Sequence, residues 1–77
     1  MSEYVTNNVR ELRRRHDGMT QHALAERIGV SRQTIISIES NRYTPSLILA
    51  LKIAKSFDLL VEDIFKIAEQ DGAVGDV

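Results

Sequence analysis

The stretch Thr20-Gln21-His22-Ala23-Leu24-Ala25-Glu26-Arg27-Ile28-Gly29-Val30-Ser31-Arg32-Gln33-Thr34-Ile35-Ile36-Ser37-Ile38-Glu39 decides the fold of this chain. Apolar residues recur at helical spacing on both sides of Gly29-Val30: Ala23 or Leu24, then Ala25 and Ile28 before it, Ile35 and Ile38 after it. Thr20 and Ser31 stand where a hydroxyl can accept from an otherwise unpaired amide, so each is predicted to cap the helix that follows. Gly29 supplies a left-handed residue to end the first helix, and Asn41 does so after a second that runs from Arg32 to about Ser40. Two short helices joined by two residues, with the small Ala25 where they must approach closely, predict helix-turn-helix geometry.

The flanks read as helix too, and no segment reads as a strand. Val9, Leu12 and the stem of Arg13 share one face of a first helix, with Asn8 as its cap and Glu11 reaching back as a capping box. Asp17-Gly18 ends it. Thr44-Pro45 restarts the chain with proline at the first helical position, and Leu47, Ala50, Leu51, Ile53, Ala54 and Phe57 predict a central core helix. A fifth helix is expected from about Val61, with Ile64, Phe65 and Ala68 inward. The expectation is an all-α, compact five-helix bundle over residues 1–69, followed by a flexible tail over residues 70–77 that has no apolar period.

Composition narrows the function. Seventy-seven residues close one core, and 43% apolar with 27% charged residues is ordinary for a globular domain. There is no cysteine, hence no disulfide or thiolate chemistry, and no apolar run nears the roughly 18 residues of a spanning helix. A cytoplasmic protein is expected. The net charge of −1 hides an asymmetry. Residues 7–44 carry seven arginines against four acidic residues, net +3, while residues 45–77 carry three lysines against six acidic residues, net −3. An all-arginine basic half suits phosphate contact, because guanidinium stays charged and donates paired hydrogen bonds.

The second helix of the pair then acquires a chemical reading. With Ile35 and Ile38 inward, Arg32, Gln33, Ile36 and Ser37 project outward from its N-terminal part. Arginine matches guanine O6 and N7, glutamine matches adenine N6 and N7, and isoleucine can meet a thymine methyl. These four are the candidates for reading bases. Arg13 and Glu39 look functional but lie on inward faces, and are expected to form a structural ion pair between the first and third helices. His16 and His22 have no acidic or thiol partner at ligand spacing, so neither a metal site nor a cofactor is expected. No nucleophile-base order, glycine-rich phosphate loop or paired-carboxylate pocket is present, and catalysis is not expected.

The whole pattern closely resembles the lambda-repressor-like, or Xre-type, helix-turn-helix regulators, in particular their short stand-alone members. The likeness runs from Val9-Arg10-Glu11-Leu12-Arg13 through Thr20-Gln21, Gly29-Val30-Ser31, Ile38-Glu39, Thr44-Pro45-Ser46-Leu47 and Ala50-Leu51-Lys52-Ile53-Ala54 to Glu62-Asp63-Ile64-Phe65. The resemblance implies binding to double-stranded operator DNA as a homodimer, with Gln21, Ser31, Thr34, Asn41, Arg42 and Tyr43 on the sugar-phosphate backbone. It makes a transcriptional repressor on an inverted repeat the leading reading, and an antitoxin or other interaction module on the same fold the alternative. Three departures stand out. The link Arg14-Arg15-His16-Asp17-Gly18 is one residue longer than in many relatives, Asp58 replaces a common glycine, and Leu60 a common small cap. Leu59, Leu60, Val61 and Ile67 exceed what a lone fifth helix can bury and are expected at a dimer interface.

Overall fold

In the computed structural model, residues 3–69 are described. The order of elements is β1 (Glu3–Asn7), α1 (Val9–Arg15), α2 (Gln21–Ile28), α3 (Arg32–Glu39), α4 (Leu47–Ser56), α5 (Val61–Ile64) and β2 (Phe65–Glu69). The proposed tail, residues 70–77, lies outside the described residues.

The helix-turn-helix pair forms through the local chemistry of its ends. Thr20 accepts from the Ala23 amide and Ser31 from the Thr34 amide, each capping its helix. Gly29 adopts φ 78°, and the Val30 amide returns to the Ala25 carbonyl at 3.0 Å, turning the chain within two residues. Leu24, Ala25 and Ile28 of α2 are buried with Ile35 and Ile38 of α3, while Ala23 is exposed. Val9, Ile53 and Ile64 complete the largest buried side chains of a single core.

Several expectations are corrected. The architecture is helical but not all-α. Only one turn of α5 forms, because the backbone turns extended at Phe65 (φ −112°, ψ 133°) and pairs antiparallel with β1. The register sets Asn7 opposite Phe65, Val5 opposite Ile67 and Glu3 opposite Glu69. A partner strand some sixty residues away in the chain offers Phe65–Glu69 a ladder of backbone hydrogen bonds, which a one-turn helix end cannot match. Ala68 is accordingly half-buried on a strand, and Phe65 packs at the edge of the core.

The first helix is not capped by a box on Asn8. The Asn8 side chain donates instead to the Asp63 carbonyl at 3.4 Å, and Asn7 Oδ1 accepts from the Val9 amide at 3.0 Å. Pro45 is not the first helical residue, because Ser46 is the cap of α4 and accepts from Leu49. The helix begins at Leu47, two residues after Pro45, and buries Ala50, Ile53 and Ala54 as expected together with Leu49, while Leu47 and Leu51, expected inward, are exposed along with Ile48. No helix among the described residues is long and apolar enough to cross a membrane.

Candidate nucleic-acid interface

The first turns of α3 face outward. Arg32 and Gln33 are exposed, Ile36 and Ser37 half-buried, and the alternating Ile35 and Ile38 anchor the helix in the core. Ser31 Oγ, already occupied by the Thr34 amide, lies 3.0 Å from Thr34 Oγ1. Ser31, Gln33, Thr34, Ser37 and Tyr43 line one shallow groove of about 280 Å³ beside the helix.

Beyond α3 the chain folds back on itself. Asn41 adopts φ 63°, its amide bonding the Ile38 carbonyl at 3.0 Å, and the amides of Arg42 and Tyr43 both donate to the Ser37 carbonyl, at 2.9 and 3.3 Å. This is the paired-bond ending in which a left-handed residue closes a helix and satisfies its last carbonyls. It leaves the side chains of Asn41, Arg42 and Tyr43 exposed at one end of α3.

At the other end is a basic concavity of about 490 Å³, bordered by Arg10, Arg14 and Arg32 together with Gln21 and His22. Two of its lining residues, Arg13 and Gln21, belong to an ion-pair network centred on Glu39, the last residue of α3. Arg13 donates through Nε and Nη2 to Glu39 at 2.6 and 3.1 Å and through Nη1 to the Met19 carbonyl at 2.8 Å. Gln21 Nε2 donates to Glu39 Oε1 at 3.1 Å, and Arg10 Nε stands 3.9 Å from the same oxygen. Burial alone would raise the Glu39 carboxyl, but the bonds from Arg13 and Gln21 and the charges of Arg13 and Arg10 outweigh it and hold it below its ordinary value. The network fixes Gln21 at the start of α2 against the end of α3.

The structure therefore brings Gln21 and Arg32 together at one concavity, and Ser31, Gln33, Thr34, Ser37 and Tyr43 at the next. Arg14 joins the first, and so do Arg10 and His22, which the sequence does not single out as contacts. The signal available was the i, i+4 spacing of Arg10 and Arg14, which sets both on one face of α1. Leu59, Leu60 and Val61 lie elsewhere, around a depression shared with Leu51, while Ile67 stands on β2, 73% exposed.

Polar and basic groups thus flank the exposed face of α3 at both ends. A family model described as helix-turn-helix matches residues 9–64. The chain belongs to the lambda-repressor-like helix-turn-helix family. It is 49% identical over 67 residues to YgzD of Bacillus subtilis (strain 168), named an uncharacterized HTH-type transcriptional regulator, covering 87% of this chain and 100% of that one. A second relative so named, from Methanothermobacter thermautotrophicus, is 56% identical over 61 residues, covering 78% and 87%. In fold, the family member resembles the crystal structure of the transcriptional regulator VanUg, with a TM-score of 0.71, 23% identity and coverage of 91% and 92%. The family is one of transcriptional regulators rather than enzymes.

Proposed function

We propose that this helix-turn-helix protein is a cytoplasmic, sequence-specific repressor that binds an inverted-repeat operator as a homodimer, with α3 in the major groove. The observation that carries the reading is the exposed N-terminal part of α3, flanked by the arginine concavity at one end and by Asn41, Arg42 and Tyr43 at the other. A helix entering the major groove needs base-reading side chains in its first turns and backbone contacts on both sides to set its register. Arg32, Gln33, Ile36 and Ser37 read bases; Gln21, Ser31, Thr34, Asn41, Arg42 and Tyr43 hold the backbone. Repression follows from occupancy of a promoter.

The dimer uses Leu59, Leu60 and Val61. Leu60 is 62% exposed, and Leu51, Leu47 and Ile48 extend the apolar surface along α4. Ile67, on the ribbon, adds to the interface from β2. A two-fold axis there repeats the same contacts in both subunits and predicts a symmetric operator.

Selection of bound sequences from a random duplex pool tests the proposal. It should return an inverted repeat with half-sites about 34 Å apart, and light scattering at micromolar concentration should give about twice the 8.7 kDa chain mass. Recovery of no preferred sequence, or a monomer both with and without DNA, would overturn it.

A further inference from the structure

Asn7, the last residue of β1, joins the start of α1 to the end of α3 through one side chain. Its Oδ1 accepts from the Val9 amide at 3.0 Å, and its Nδ2 donates to the Ile38 carbonyl at 2.9 Å and to Asn41 Oδ1 at 3.2 Å. The Ile38 carbonyl is also the acceptor for the Asn41 amide, so Asn7 bonds both the carbonyl that closes the end of α3 and the side chain of the left-handed residue in that turn. Both of those partners are acceptors. An amide is suited to the position because it offers two donors there and an acceptor to Val9, which neither a carboxylate nor a hydroxyl supplies.

The turn held in this way carries Arg42 and Tyr43. A non-glycine residue at φ 63° is not at its backbone minimum, and a short exposed turn ordered only on binding would lower affinity by the entropy of fixing it. The backbone of Asn7 is itself fixed by pairing with Phe65, and the next amide, Asn8, donates to the Ile64 carbonyl at 3.2 Å. The strand pair thus delivers the Asn7 amide to the end of α3.

Resting on the DNA-binding reading above, we infer that Asn7 is a positioning residue for operator binding. It holds the Asn41-Arg42-Tyr43 turn in its binding conformation before DNA arrives, and the β1–β2 ribbon is the device that places it.

The test uses the full chain with Asn7→Asp, which keeps an oxygen for the Val9 amide and loses both donors, and with Asn7→Ser, whose single short hydroxyl cannot replace the two donors of Nδ2. Amide hydrogen exchange of the free protein should quicken about fivefold or more at Arg42 and Tyr43, the equivalent of at least one of the two lost hydrogen bonds, and stay unchanged at Leu24 and Ile53. Affinity for the selected duplex should fall by about the same factor. In an Asn41→Ala background the Asn7→Ser loss should shrink by at least half on a logarithmic scale, because the two residues share one bond; a general loss of stability would leave it unchanged. Unaltered exchange at Arg42 and Tyr43, retained affinity, or strictly additive losses would each overturn the inference. Wild-type protein that bound no duplex would overturn the DNA-binding reading, while the exchange rates would still decide whether Asn7 orders the turn.

Discussion

Arg13 clasps Glu39 at two points, Nε to Oε2 at 2.6 Å and Nη2 to Oε1 at 3.1 Å, and so ties α1 to the last residue of α3. The glutamate side chain is 2% exposed. A charge so placed gains little over an apolar pair but is costly to leave alone, since its partner would stay desolvated without compensation. Because Gln21 donates to the same carboxylate, the pair also fixes one end of the candidate backbone contacts.

Glu39→Gln should therefore destabilise the fold by about 3 kcal/mol, the lower end for breaking a buried pair. The pH dependence carries the sign. The folded carboxyl lies below its ordinary value, so its contribution is complete above the unfolded-state value near 4.3 and is lost as pH falls through the folded one. Urea unfolding of wild type from pH 7 downward should show that loss, and Glu39→Gln should lack this component. An identical acid slope in both proteins would show that the pair does not stabilise the fold.

The helix-turn-helix was legible because its determinants are local. Thr20, Ser31, Gly29 and Asn41 act on residues within one turn of themselves, and the structure places each at a helix end as read. The strands were not legible because theirs are distant. Phe65-Lys66-Ile67-Ala68 continues a helical period after Ile64, and nothing near it in sequence reveals the five residues Glu3–Asn7 that pair with it. The same distance hid Asn7, whose partners Ile38 and Asn41 lie 31 and 34 residues away. In α4 apolar residues outnumber the inward positions: Leu49, Ala50, Ile53 and Ala54 fill the buried face, and Leu47 and Leu51, equally apolar in the sequence, stand exposed.

Asp58 closes α4 at φ 58°, with the Leu59 amide returning to the Ala54 carbonyl at 2.9 Å. Asp58→Gly should stabilise the protein by roughly 0.5 to 1 kcal/mol, because glycine reaches that conformation without a Cβ penalty. The complementary change, Gly29→Ala, should cost about 1 kcal/mol from backbone strain alone, since its new Cβ would have nothing within 4 Å. Thermal unfolding of both variants checks the pair, and a destabilising Asp58→Gly would point to a role for the carboxylate beyond the turn.

Leu60 starts α5 without a side-chain cap, although Asp63 Oδ2 accepts from its amide at 3.0 Å and completes half of a capping box. Leu60→Ser supplies the missing half, worth about 1 kcal/mol in subunit stability. It also removes an exposed leucine from the proposed interface. Chemical denaturation at low concentration should show a firmer subunit and light scattering a weaker dimer. If dimerisation were unaffected, Leu60 would not belong to the interface.

Neighbouring side chains around α3 should separate by role. Arg32→Ala or Gln33→Ala removes a base-edge pair, so each should weaken the preferred duplex by about 1 to 3 kcal/mol and relax base choice at one position, with little effect on scrambled DNA. Arg42→Ala should weaken both duplexes alike and lower the salt slope by about one unit, because one fewer counterion is released. Gln21→Ala should also act on both duplexes, but it unmakes the bond to Glu39 as well, so its loss of affinity should come with reduced thermal stability where that of Arg42→Ala does not. Binding of the four variants to preferred and scrambled duplexes across a salt series distinguishes them. Equal losses on both duplexes for Arg32→Ala and Gln33→Ala would mean that α3 does not read bases, and the placement of this helix in the major groove would have to be abandoned.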